Sequence, residues 1–80
     1  MMLTEKMKNL FNSYFDGQTL SQEETIANIL KISNEIYNVF ELNNQEANNI
    51  MGFDMGKSTT VDDITFWTVS RFSLYLQENK

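Results

Sequence analysis

The residues best suited to chemistry lie in one segment, Gly52-Phe53-Asp54-Met55-Gly56-Lys57-Ser58. Two glycines, a lysine and a serine are the ingredients of a phosphate-binding loop, whose amides wrap the phosphates while the lysine neutralises them. Such a loop needs four residues between its glycines and a strand before it. Here three intervene, and the preceding residues read as helix. Asp54 could also open a calcium loop, but the sixth position is Thr59 instead of glycine and the twelfth is Thr65 instead of glutamate. The carboxylate pairs Glu23-Glu24 and Asp62-Asp63 have the right chemistry for a general acid and base. Adjacent helical residues point about 100° apart, however, and both pairs fall where acids serve as helix caps. The chain has neither histidine nor cysteine, which removes the commonest nucleophile–base pairs, zinc sites of the usual kind and disulfides. Neither catalysis nor a cofactor is expected.

Around these near misses the sequence predicts helices. Leu3, Met7, Leu10, Phe11 and Tyr14 recur at spacings of three and four, which predicts a helix from about Leu3 to Phe15, with Asp16-Gly17 as its stop. Ser21-Gln22-Glu23-Glu24 is a capping box. It opens a second, central helix with Ile26, Ile29, Leu30, Ile36, Tyr37 and Phe40 on its inner stripe and Ile32 and Val39 off it. A third, short helix spans Asn44 to Met51, capped by Asn43 or Asn44, with Ala47 and Ile50 inward and Gly52 as its end. The segment from about Thr60 to Gln77 is ambiguous. Ile64, Phe66, Phe72, Leu74 and Leu76 also fit the alternation of a strand. The capping-box-like pairs Thr59/Asp62 and Thr60/Asp63, and the lack of a turn residue after them, favour helix. The expected fold is all-α, a small bundle of three to four helices in a single domain over residues 1–80. The alternative is α+β, with the C-terminal segment as a strand.

Gln45 to Gly52 followed by a further helix has the outline of a helix–turn–helix. A recognition helix starting at Asp62-Asp63 would turn negative charge toward phosphates, so direct nucleic-acid binding is not expected. No stretch approaches the roughly 18–20 apolar residues of a membrane span, and Met1 to Phe15 lacks the pattern of a signal peptide. With no cysteine, a cytoplasmic protein is expected.

Leu42-Asn43-Asn44-Gln45-Glu46-Ala47-Asn48-Asn49-Ile50, followed by Thr59-Thr60-Val61-Asp62-Asp63-Ile64, resembles the last third of acyl carrier proteins. The resemblance implies a small acidic four-helix domain. The family's Asp-Ser-Leu, whose serine carries the phosphopantetheine arm, has no counterpart: Ser21 sits at a helix start between Leu20 and Gln22.

Charge supplies the functional expectation. Of a net charge of −5, the segment from Asp16 to Asp63 holds nine acids against Lys31 and Lys57, a local −7. An acidic middle can be a solubilising surface, or it can steer the protein onto a basic partner. Met51, Phe53 and Met55 alternate in a glycine-bounded loop; they cap the core or, if exposed beside Asp54 and Glu46, form an apolar anchor in an acidic rim. The sequence thus points to a non-enzymatic protein-interaction domain. Its candidate partner-binding residues are Glu23, Glu24, Glu41, Glu46, Met51, Phe53, Asp54 and Met55. In size and charge the chain resembles the small acidic anti-defence proteins of phages, anti-CRISPR proteins among them, which suggests an inhibitor occupying the basic, nucleic-acid-binding surface of a target protein. The alternatives are an acyl-carrier-like domain lacking its serine and a homodimeric assembly module, the latter through an arc formed by Val61, Ile64, Trp67, Phe72, Tyr75 and Leu76.

Overall fold

The computed structural model describes residues 3–15 and 19–78; the proposed stop at Asp16-Gly17 lies outside them. Four helices follow one another, α1 (Glu5–Phe15), α2 (Gln22–Leu42), α3 (Asn44–Met51) and α4 (Val61–Glu78), with no strand among the described residues. The fold is a small all-α bundle, and the strand alternative for the C-terminal segment does not hold. Each helix start is set by a hydrogen bond spanning three residues. Thr4 Oγ1 accepts the Met7 N–H at 3.0 Å. In the Ser21 box, the serine hydroxyl accepts the Glu24 N–H while the Glu24 carboxylate accepts the Ser21 N–H. Thr60 and Asp63 form the same reciprocal pair before α4. Thr59 does not share in it, because its hydroxyl donates back to Met55 O at 2.6 Å.

Asn43 turns the corner between α2 and α3 alone. Its N–H donates to Val39 O at 2.7 Å, closing α2, while its Oδ1 accepts the Glu46 N–H at 3.1 Å, opening α3. α3 ends on Gly52, whose φ of 93° is the left-handed conformation that favours glycine.

α2 is the spine, packed most extensively against α4 and α3. Ile29, Ile32, Ser33, Ile36 and Phe40 form its buried face. Ile32 is fully enclosed, whereas Ile26 and Leu30 are about half exposed, so the inner stripe is rotated from the one the apolar pattern predicts. With apolar residues on two flanks, hydrophobicity alone left the helix's rotation open. Asn28 donates to Tyr14 O at the end of α1, and the rings of Phe72 and Tyr75 near the end of α4 pack at a tilt against Phe11 and Phe15. The start of α2 and the end of α4 therefore share one end of the molecule, and the two helices run antiparallel.

The strand-like composition of α4 is reconciled with helix by its hydroxyls. Thr65, Thr68 and Ser70 each donate to the carbonyl four residues back, so the buried Thr68 needs no partner elsewhere. The alternation that suggested a strand does not define a face, since Phe66 and Leu76 are exposed while Ile64 is buried.

Thr4, just before α1, packs closely against the end of α3. Its hydroxyl donates to Ile50 O, and a Cβ on Gly52 would lie 2.9 Å from Thr4 Cγ2. Gly52→Ala is therefore expected to cost about 2 kcal/mol through the positive φ together with this clash. Thr4→Ser keeps the hydroxyl and removes the methyl. The double variant should then lose less stability in urea than the two single losses added together.

Candidate protein-binding face

The glycine-bounded loop is built to hold itself. Asn48, buried on α3, accepts the Met55 N–H at 3.0 Å through its Oδ1 and points its amide at the side chains of Asn44 and Asp54. Asp54 Oδ1 accepts the Gly56 N–H at 3.0 Å, the turn expected of an aspartate two residues before its donor. The amides of Met55 and Gly56, which a phosphate loop would offer to its ligand, are thus engaged internally. Asp54 remains at the surface as a turn-former.

The apolar residues of this loop face inward. Met51 is 1% exposed and Met55 9%, so both belong to the core and neither supplies the exposed anchor considered from the sequence. Phe53 is half-buried, edge-on to Trp67 at 5.0 Å, with the Arg71 guanidinium 5.3 Å from its ring centroid. Arg71 is itself buried and donates through Nε to Met51 O at 3.4 Å, placing its charge at the carbonyl end of α3, where the helix dipole favours a cation. Nothing in the sequence reading singled out Arg71. The signal was available, since it is the one charged residue between Asp63 and Glu78.

The four glutamates named from the sequence do not form one cluster. Glu46, in the first turn of α3, pairs with Lys6 of α1 across the chain. The pair stands over a cleft of about 400 Å³ between α1, α2 and α3, with Leu10, Ile36, Val39 and Ile50 lining it and Glu35 at its edge. Glu24 is committed to the Ser21 cap. Glu23 and Glu41 are both exposed and, among the described residues, neither has an ion-pair partner.

These last two are related by helix geometry. Eighteen residues separate them, about five turns and ~27 Å of rise, which returns both to one line on α2. Leu30, Asn34, Tyr37 and Ile26 fall within about 60° of that line. Ile26 is 51% exposed and Leu30 47%, with Asn34 exposed and Tyr37 half-buried. The outer face of the central helix therefore carries apolar side chains framed by a carboxylate at each end. Ile26 and Leu30, assigned from the sequence to the inner stripe, are its exposed apolar residues, whereas Met51 and Met55 are buried. The five-turn spacing of Glu23 and Glu41 was the sequence signal that could have revealed it.

Protonation should report on the capping geometry. The backbone and hydroxyl of Ser21 hold the Glu24 carboxyl below its ordinary range, and the Lys6 ammonium does the same for Glu46. Both groups are lowered on folding, so what they add to stability is complete above the ordinary carboxylate range. It is lost as pH falls through their lowered values. Ser21→Ala keeps the backbone N–H that is the larger cause for Glu24. In a carboxyl-carbon NMR titration it should therefore raise Glu24 only part of the way toward the ordinary range and leave Glu46 low, whereas Lys6→Met should return Glu46 toward that range and leave Glu24 low. No protein-family model matches the chain, nor does any curated protein sequence or solved structure.

Proposed function

We propose that this domain is a non-enzymatic binding protein whose outer α2 face engages a basic, nucleic-acid-binding surface on another protein. The observation that carries the reading is the line of Glu23, Ile26, Leu30 and Glu41, in which two unpaired carboxylates frame half-exposed apolar residues. An isolated surface acid is ordinary on a protein of net charge −5. Two in register along a helix with apolar residues between them have the composition of an interface, with a desolvated centre and a charged rim. The carboxylates would speed encounter with a basic partner by long-range attraction, and Ile26 and Leu30 would slow its departure once docked.

Occupying such a surface would exclude the nucleic acid that normally neutralises it, which makes the domain an inhibitor in the manner of an acidic anti-defence protein. No step in this reading requires a cofactor or a covalent change in the chain.

The test begins with affinity capture from the native host and identification of the bound protein by mass spectrometry. Association of that protein with this domain should slow roughly tenfold between about 50 mM and about 500 mM salt. Glu23→Lys with Glu41→Lys should slow association further. Ile26→Ser and Leu30→Ser should chiefly raise the dissociation rate. Binding that ignores salt and tolerates all four substitutions would refute the assignment of this face.

A further inference from the structure

A second exposed apolar line lies on α4 and has a different character. Phe66 is 69% exposed, Val69 47% and Leu76 53%, with the exposed Ser73 between the last two. Positions 66, 69, 73 and 76 are spaced three, four and three, the spacing at which a helix meets another helix along a seam. The flanking positions Thr65, Ser70 and Gln77 are uncharged. From Ile64 to Gln77 the helix has one charge, Arg71, and that side chain is buried against Phe53 and Met51.

The charge pattern selects the occupant. A basic partner has nothing to recognise on a neutral seam, whereas a second copy of an acidic chain has few other places to approach. Two outer α2 faces brought together would oppose Glu23 and Glu41 with their equivalents. On α4 the acids stand at the start of the helix, at Asp62 and Asp63, and near its end, at Glu78. Asp62 lies on the line of the seam, whereas Glu78 lies about 160° round the helix from it. An antiparallel pair centred near position 71 therefore keeps the two seam carboxylates about 27 Å apart, while a parallel pair would set them side by side. In that antiparallel register Phe66 meets Leu76 of the other copy and Val69 meets Ser73. Large and small side chains then face each other in a closed two-fold arrangement that no third copy can extend.

We infer that α4 pairs with α4 of a second copy of this chain, in a weak antiparallel homodimer. A seam of four side chains falls well short of the roughly 800 Å² per partner of a standard interface, so the dimer forms at high micromolar concentration and above. Its response to salt is opposite to that of the acidic docking face. Two molecules of like charge repel, and salt screens the repulsion, so the dimer strengthens where binding to a basic partner weakens. The two ideas therefore fail separately.

Sedimentation equilibrium over a concentration series to about 1 mM, at low and at about 0.5 M salt, provides the test. The mass should rise toward that of a dimer, and at lower concentration when salt is high. Phe66→Ser and Val69→Ser should each weaken the association by roughly tenfold or more. Leu42→Ser, at an 89% exposed position off the seam, should leave it unchanged. Far-UV circular dichroism confirms that each variant is folded. A monomer mass throughout would overturn the inference, as would a dimer that ignores Phe66→Ser and Val69→Ser or that weakens with salt.

Discussion

The buried line Ile29, Ile32, Ile36 and Phe40 on α2 is the surface on which the rest of the molecule is assembled. In a chain without cysteine or histidine, neither a disulfide nor a zinc site of the usual kind can staple so small a domain, and apolar burial must supply the cohesion. α2 is the longest helix and the only one in extensive contact with both α3 and α4. Met7 and Phe11 from α1, Ala47, Ile50 and Met51 from α3, and Ile64 from α4 share one hydrophobic cluster with it. The rotation of α2 about its own axis thus decides what the protein shows to its surroundings. Turning Ile32 inward turns Leu30 outward.

Economy of connection is the second constraint. Asn43 serves as the end of one helix and the beginning of the next, so α2 and α3 meet without a flexible linker. The longer connection from Gly52 to Thr60 is held from below by Asn48 and from within by Asp54 and Thr59. Asp54 and Thr59 form hydrogen bonds within it, and Met55 fills the interior. A segment composed like a ligand loop is in this way a structural plug, and the exposed apolar residues Ile26, Leu30, Phe66, Val69 and Leu76 lie on helix faces.

The parts of the fold legible in the sequence were those that depend on residues close together in it. Ser21 with Glu24, Thr60 with Asp63, Asn43 and Gly52 all act over three or four positions, and each does what its type and spacing predicted. What escaped was the side of α2 that faces the core. Ile26, Ile29, Leu30 and Ile32 have nearly equal hydrophobicity, and only contacts with distant helices distinguish them. The same reason hid the role of Asn48, which reads as a polar residue on a polar helix until the loop folds over it. Of the candidate binding residues, Glu23 and Glu41 stand exposed on one helix line. Glu24 and Glu46 have local structural duties, and Met51 and Met55 are interior. Burial decides among such residues, and burial is a property of the whole chain.

The bond from the Thr4 hydroxyl to Ile50 O joins positions 46 residues apart. During synthesis α1 leaves the ribosome before α3, so the carbonyl that its capping threonine grips, and the glycine that leaves room for the threonine methyl, follow after it. α1 can form its own hydrogen bonds and meet α2 early, but the seat for its capping threonine is complete only when α3 has turned and stopped at Gly52. The start of α1 is therefore fixed by a carbonyl and a glycine that stand more than forty residues further along the chain.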